Sequence, residues 1–139
     1  MGLVTLSARP LVPAELLAAV DDPRSGAVAT FVGRVRDHDP AVDGAVVALE
    51  YSAHPDAEGV LARLADDARA RDGVLDLALG HRVGRLGVGE PALVAVVATA
   101  HRGLAFDVCR ELVEAVKAEL PVWKREVLAD GSHVWSGLT

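Results

Sequence analysis

Short apolar segments of strand length alternate along this chain with longer segments of helical periodicity. The clearest apolar segment runs from Gly26 to Val35, and its near-continuous apolar character predicts a strand buried on both faces. Turn residues separate it from a second strand at 45–52, with which we expect it to pair. Further strands are predicted at 4–7, 74–83, 92–100, 122–128 and 132–135, the last two as a closing hairpin.

Three helices complete the pattern. The first begins at Pro13, because proline suits the first helical turn. The second begins near Pro55 and ends before Gly73, a plausible C-terminal cap. The third runs from about 103 until Pro121 stops it. This order of elements predicts an α+β structure and not a regular βαβ repeat.

Composition limits both the core and the ligands. Hydrophobic residues make up 51% of the chain but aromatic residues only 4%, so the core must be built from alanine, valine and leucine. A single domain over residues 1–139 can bury about two-thirds of its unfolded surface. The formal net charge of −6 argues against general nucleic-acid binding, which needs a basic surface.

Other features bear on compartment and metals. The N-terminal residues lack the pattern of a signal peptide, and no apolar run approaches the length of a membrane span. Cys109 is the only cysteine, which excludes an internal disulfide, and we expect it to pack in the core. His38 lies between two aspartates, but without a second histidine cluster a solvated loop is favoured over a metal site. We therefore expect a cytoplasmic protein without metal or cofactor.

Lysine is confined to one region of the chain. Only Lys117 and Lys124 occur, seven residues apart, against twelve arginines. Arginine is always charged, whereas a lysine crowded by other cations can lose its proton near neutral pH and take part in proton transfer. Their scarcity and their surroundings, which include proline and tryptophan, favour an active-site pair about as strongly as two ordinary surface charges.

Most of the remaining candidates are basic residues at the ends of predicted elements. With the lysines, they are Arg34, Arg36, His101, Arg102, Lys117, Lys124 and Arg125. Functional sites are often assembled at such ends, and a helix N-terminus adds a preference for anions. If these cations converge in an acidic chain, they predict a site for a phosphate or a carboxylate.

Five segments also form an ordered set. They are Gly26-Ala-Val-Ala-Thr-Phe-Val-Gly-Arg-Val-Arg-Asp-His38, Leu49-Glu-Tyr51 with His54-Pro55, His81-Arg-Val-Gly84 with Val88-Gly-Glu90, Ala100-His-Arg102 with Ala105-Phe106, and Pro121-Val-Trp-Lys-Arg-Glu126. Together they resemble the MoaE family of molybdopterin synthase large, catalytic subunits. The resemblance extends over roughly residues 3–135, and the combination is far more specific than any one segment.

The resemblance implies an α/β-hammerhead type of α+β fold, with mixed and antiparallel strands and three helices. It implies a sulfurtransferase that converts a cyclic pyranopterin monophosphate into molybdopterin by installing two sulfurs as a dithiolene. The sulfur would arrive as a thiocarboxylate on the C-terminal Gly-Gly of a small ubiquitin-like carrier subunit. The large subunit would be a homodimer within a heterotetramer, and no metal would be needed because molybdenum is inserted later.

The resemblance also implies roles for residues. Lys117 and Lys124 match the family's two active-site lysines. The implied substrate-binding residues are Arg34, Val35, Arg36, His101, Arg102, Lys117, Lys124, Arg125 and Glu126. Cations can hold the cyclic phosphate as it opens, and a lysine can move the protons that sulfur transfer requires. The same context makes Trp123, and less so Phe31, a candidate wall of the slot for the carrier's tail, although core packing is the commoner role.

Two features depart from the family pattern. Val122 is smaller than the residue often found there, and the chain ends at Thr139 without the basic tail of many relatives. Two other functions stay open: a non-catalytic scaffold that binds a ubiquitin-like protein or an anionic metabolite, and an unrelated anion-binding module. The presence of both lysines favours the enzyme over the scaffold, and the order of the segments argues against an accidental match.

Overall fold

The computed structural model describes residues 2–136; the uncharged residues 137–139 of the C-terminus lie outside this range. Within it the chain forms eight strands and three helices. The strands are β1 (Val4–Ser7), β2 (Ala27–Arg34), β3 (Val46–Ala53), β4 (Val74–Arg82), β5 (Gly84–Gly87), β6 (Pro91–Thr99), β7 (Val122–Leu128) and β8 (His133–Ser136). The helices are α1 (Pro13–Ala19), α2 (Ala57–Arg69) and α3 (Arg102–Glu119).

The strands form two four-stranded sheets. Sheet A has the strand order β1-β4-β6-β2, and sheet B has the order β5-β3-β7-β8. β1 and β4 run parallel, whereas the other paired strands are antiparallel. This arrangement confirms the predicted α+β class with mixed and antiparallel strands and three helices.

Helices cover both faces of sheet A. Side chains alternate along β4, so that Leu77 and Leu79 pack with α2 and α3, whereas Ala78 packs with Leu16 of α1. Leu77 and Leu79 are fully buried, and burying one leucine stabilises the fold by roughly 1.5–3 kcal/mol. None of the helices within residues 2–136 is long and apolar enough to cross a membrane.

Sheet B has a smaller core of its own. It is formed by Val35, Val46, Leu49, Leu86, Ala92 and Leu128. Tyr51, near the end of β3, packs against this cluster and also against the main core beneath α3. The two sheets therefore meet around Tyr51, and the cavities of the candidate site open at this junction.

Two expectations for β2 are wrong. β2 pairs with β6, and β3 pairs with β5 and β7, because the loop after Arg34 carries the chain from sheet A to sheet B. β2 is also an edge strand of sheet A, so its burial is incomplete: Ala29 is buried but Val28 is 43% exposed. β2 is therefore more apolar than its burial within a single chain explains.

Two smaller differences concern turns. The connection expected before β6 contains the short strand β5, which pairs with β3. Helix α2 ends at Arg69 with Ala70 as its C-cap, so Gly73 is not the cap. Gly73 instead has a φ of 91° in the turn that enters β4, a left-handed conformation that glycine adopts without steric cost.

Candidate active site

Two adjoining cavities open where sheet A, sheet B and the end of α3 meet. The larger, which we call the lysine pocket, has a volume of about 310 Å³, and the smaller, the arginine pocket, about 170 Å³. Four residues line both: Arg34, Tyr51, Lys117 and Lys124. The lysine pocket is completed by Gly33, His81, Ala92, Leu93, Val116 and Val122, and the arginine pocket by Arg36, His38, Asp39, Val46, Leu49 and Glu126.

The turn between α3 and β7 brings both lysines to these cavities. Lys117 lies in the last turn of α3, where a cation also interacts favourably with the helix dipole. Lys124 follows shortly after, in β7, which begins directly after Pro121. Buried Val116 and Val122 anchor the chain beside each lysine. The only two lysines of the chain therefore share one site, as an active-site pair requires.

Arg34, the last residue of β2, and Arg36 lie on the same side of the chain. Val35 between them is 3% exposed and packs in the core of sheet B, so its side chain lines neither cavity. The Val35 N–H donates to the Glu90 carbonyl at 3.1 Å, and the Val35 carbonyl accepts from the Gly89 N–H at 2.8 Å. These contacts fix the direction of Arg34 and Arg36, which both line the arginine pocket.

A buried carboxyl faces Lys124 in the arginine pocket. Glu126 is 4% exposed, and its Oε1 lies 3.6 Å from Lys124 Nζ. Burial raises the pKa of Glu126, and a hydrogen bond with Asp39 adds to this, while the charge of Lys124 opposes it. The same hydrogen bond lowers the pKa of Asp39. Glu126 therefore holds a proton more readily than an exposed glutamate does.

A buried histidine lines the lysine pocket. His81 is 6% exposed, and its Nδ1 lies 2.7 Å from the Arg82 carbonyl oxygen. Its ring meets the Tyr51 ring edge-on, with centroids 5.2 Å apart. Burial lowers the pKa of His81; the hydrogen bond to Arg82 opposes this, and the charge of Lys117 adds to it. Burial raises the pKa of Tyr51, with a further increase from Glu126, so both rings are neutral at pH 7.

Arg125 points away from the two cavities. Side chains alternate along β7, and Lys124 and Glu126 occupy the face that lines the site. On the opposite face Arg125 bonds to Glu50 and stacks over the Trp135 ring, 5.6 Å from its centroid. A single chain therefore offers no contact between Arg125 and a ligand in either pocket.

The expected walls of the tail slot are also placed elsewhere. Trp123 shares the outer face of β7 and lies near His54, with ring centroids 6.3 Å apart. Phe31 lines a separate groove between β2 and α3. The apolar walls of the lysine pocket are instead small aliphatic side chains, including Val116 and Val122.

His101 and Arg102 lie at the opposite end of α3 from Lys117. Fifteen positions separate Arg102 from Lys117 along the helix (117 − 102 = 15), which corresponds to about 22 Å. Both residues are exposed, and His101 is the N-cap of the helix. One chain cannot bring this pair and Arg36 to the same phosphate. The structure therefore does not bring all of these basic residues together within a single chain.

Three polar residues of the site were not among the sequence candidates: His81, Tyr51 and Asp39. The first two stand in segments of the family resemblance, which was the available signal. Asp39 was assigned with His38 to a solvated loop; His38 is indeed exposed, but both residues line the arginine pocket. Within residues 2–136, no three His, Cys, Asp or Glu side chains lie close enough together to hold a metal ion.

Comparison with known proteins agrees with this architecture. The family model described as MoaE protein matches residues 6–119. The chain is 37% identical to a molybdopterin synthase catalytic subunit of Thermoplasma volcanium, covering 95% of this chain and 96% of the relative. It is 38% identical to molybdopterin synthase catalytic subunit 1 of Mycobacterium tuberculosis, covering 95% and 88%. The crystal structure of molybdopterin synthase from Staphylococcus aureus matches with a TM-score of 0.83 and 27% identity, covering 98% of this chain and 96% of that one.

Proposed function

The chain belongs to the MoaE family, and on that premise we propose that the lysine and arginine pockets form the active site of a molybdopterin synthase catalytic subunit. The enzyme is a sulfurtransferase of molybdenum cofactor biosynthesis. It moves sulfur from the C-terminal thiocarboxylate of a small ubiquitin-like carrier subunit to cyclic pyranopterin monophosphate, forming the molybdopterin dithiolene. The observation that carries this proposal is the meeting of both lysines with Arg34 and Arg36 on two adjoining cavities.

The two cavities suit the two reactants differently. Arg34, Arg36 and Lys124 give the arginine pocket positive charge, which can hold the substrate phosphate and stabilise negative charge as the cyclic ester opens. The lysine pocket has apolar walls such as Val116 and Val122, which suit a thin Gly-Gly tail. Because the lysines line both cavities, the sulfur at the end of the tail and the pterin would meet between them.

The lysines would act on the reacting atoms, and their neighbours would hold them in place. An ammonium group can neutralise the thiocarboxylate and stabilise the oxygen that leaves the phosphate. Glu126 pairs with Lys124 and so fixes its direction. Val35 would contribute through packing that orients Arg34 and Arg36, and Arg125 is left out of the proposed site because it faces the other side of sheet B.

A second copy of the chain would complete the site. We define the β2–α3 face by Thr30, Phe31, Phe106, Arg110 and Glu114. β2 is an edge strand there, Phe106 is 65% exposed, and a largely apolar groove of about 270 Å³ runs between the strand and the helix. An edge strand beside exposed apolar side chains is a natural surface for another chain. Burial by a second copy also accounts for the apolar sequence of β2.

A two-fold contact on the β2–α3 face would pair its charges. Arg110 and Glu114 line the groove one helical turn apart. Across a two-fold axis between antiparallel α3 helices, each Arg110 would face Glu114 of the other copy. The same symmetry would set the N-terminus of one α3 beside the C-terminus of the other. His101 and Arg102 of the partner subunit would then approach Lys117 and supply the phosphate contacts that one chain lacks.

The β2–α3 face makes a prediction about assembly. Phe106→Asp puts a charge in the centre of the interface and should weaken dimerisation by about 10²-fold or more, as loss of an interface hot spot does. Because Phe106 is exposed in the single chain, circular dichroism should show an unchanged fold. Leu17→Asp is the matched control, since Leu17 is 46% exposed on α1, away from this face. A Phe106→Asp variant that sediments as a dimer at the same concentrations would rule out this interface.

The activity itself is tested by reconstitution. The protein mixed with thiocarboxylated carrier and cyclic pyranopterin monophosphate should form molybdopterin, whereas the protein alone should form none. Light scattering on the mixture should give the mass of a heterotetramer. A carrier without its Gly-Gly end should bind at least roughly tenfold more weakly in calorimetry, a loss of about 1.4 kcal/mol, because its tail no longer reaches the lysine pocket.

Two outcomes of the reconstitution would count against the proposal. Tight binding of the truncated carrier without any product from the intact one would favour the scaffold function. Absence of both binding and product would favour an unrelated anion-binding module. We also propose the cytoplasm as the compartment of the reaction, which cell fractionation with an antibody to this chain tests directly.

A further inference from the structure

His81 carries a nitrogen base into the lysine pocket. It follows Leu77 and Leu79 on the α3-facing side of β4 and is the last residue of that row, where the core ends and the cavity begins. The Arg82 carbonyl oxygen, 2.7 Å from Nδ1, can only accept a hydrogen bond, so Nδ1 carries the proton of the neutral ring. Nε2 then holds a lone pair, and it makes no hydrogen bond within residues 2–136.

The charges around this ring come from several elements. The titratable and charged residues are Lys117 of α3, Lys124 of β7, Arg34 of β2 and Tyr51 of β3. The flanking strands β1 and β6 pair Leu6 and Leu93 with His81 and add no charge. A buried ring among cations stays neutral, since protonation would add a further positive charge. The pKa of His81 is accordingly below its usual value of 6.5.

Sulfur transfer from an acyl group needs water in its second half. Once the thiocarboxylate sulfur has bonded to a substrate carbon, it joins the substrate to the terminal glycine of the carrier as a thioester. To leave the sulfur on the substrate, water must add to the glycine carbonyl carbon, so that a C–O bond forms and the C–S bond breaks. The C–S electron pair stays on sulfur, one water proton goes to a base, and the other leaves as the new carboxyl ionises.

We propose that His81 is a further catalytic residue, whose Nε2 accepts the proton of the water that hydrolyses the thioester between carrier and substrate. The inference rests on the proposed function. The imidazolium then returns this proton to the sulfur left on the substrate, so that the ring is neutral again for the next transfer. No oxidant or reductant is involved in this step.

The other groups of the lysine pocket suit this task less well. Arginine has hydrogens to donate but no lone pair to accept a proton, and the two lysines are already assigned to the thiocarboxylate and to the leaving oxygen. The hydroxyl of Tyr51 keeps its proton because burial raises its pKa. Glu126 lines the other cavity, where burial also favours its protonated form. His81 is the neutral nitrogen base among the described residues that line the lysine pocket.

Two variants, His81→Asn and His81→Gln, test this role, because each replaces the imidazole with an amide. The asparagine amide can still donate to the Arg82 carbonyl but supplies no base. We expect His81→Asn to lower the rate of molybdopterin formation by about 10²–10⁴-fold, the usual contribution of a general base. Carrier affinity in calorimetry should be unchanged, and mass spectrometry should detect a covalent adduct of carrier and substrate that the wild-type enzyme does not accumulate. A merely structural role would not trap that adduct.

The pH profile gives an independent test on the wild-type enzyme. Its rate should fall as pH drops through the pKa of His81, measured by NMR titration of the imidazole, and both variants should lack this acid limb. A kinetic limb that does not match the NMR titration overturns the inference, even if a variant fails to fold. So does a His81→Asn enzyme that works within about threefold of wild type. If the wild-type enzyme forms no molybdopterin at all, the proposed function fails instead.

Discussion

Lys117→Ala should lower molybdopterin formation by about 10²–10⁴-fold while hardly changing stability, as expected for an exposed residue whose role is chemical. Lys117 lies at the exposed end of α3, so its loss should change the free energy of unfolding by less than about 0.5 kcal/mol. Single-turnover assays with thiocarboxylated carrier measure the first effect, and urea denaturation measures the second.

Lys124→Ala should lower activity by a similar factor but should also affect stability. It leaves the buried carboxyl of Glu126 without its nearest cation, which costs about 1–2 kcal/mol at neutral pH. Lys124 lowers the pKa of Glu126, so removing it raises that pKa further. The loss of stability relative to the wild type should therefore become smaller as pH falls, because a protonated Glu126 needs no counter-charge.

Arg71→Ala is the matched control for both lysine variants. Arg71 is an exposed cation that pairs with Glu111 on the far side of α3, away from both pockets. Its loss should leave activity and stability nearly unchanged. Full activity of both Lys117→Ala and Lys124→Ala would show that the lysine pair is not catalytic.

Mixing two inactive variants should restore activity. One variant carries Lys117→Ala, and the other carries His101→Ala together with Arg102→Ala. If each site takes its lysines from one copy and its His101–Arg102 pair from the other, a mixed dimer has one intact site. Random pairing makes half of the dimers mixed, so the refolded mixture should regain about a quarter of wild-type activity.

The control for this experiment mixes Lys117→Ala with Lys124→Ala. Both lysines come from the same copy in the proposed site, so no combination of these two chains contains an intact site. Activity should stay absent. If instead the first mixture also stays inactive although mixed dimers form, His101 and Arg102 act within their own chain or not at all.

Local patterns predicted the elements well. Pro13, Pro55 and Pro121 marked the helix boundaries to within two residues, because proline acts through its own ring and does not depend on distant contacts. Strand pairing was less accessible. The expected partner of β2 was its neighbour in sequence, but the antiparallel partner is β6, which is far away along the chain. The alternating or continuous apolar character of one strand does not specify which other strand pairs with it.

The site residues also divide into those that local sequence could predict and those that depend on tertiary packing. Lys117 and Lys124 were found because they are scarce and near each other in sequence. His81 was not singled out, because its burial and its hydrogen bond to Arg82 depend on packing beneath α3. The separation of Arg102 from Lys117 follows from the length of one helix, but sequence alone does not say whether one copy or two must supply the site.

The short turn between α3 and β7 sets the distance between Lys117 and Lys124. It fixes the positions of the two lysines through only two residues, Leu120 and Pro121, between the end of the helix at Glu119 and the start of the strand at Val122. The distance between the two lysine amines is therefore set by a single peptide segment. Substitutions elsewhere in the sheets should change this distance little. His101 and Arg102, the pair that we propose comes from the partner subunit, are not linked to the lysines by any such short segment. Selection would have to maintain that half of the site through the shape of a surface, so the two halves should differ in how quickly their surroundings diverge among relatives.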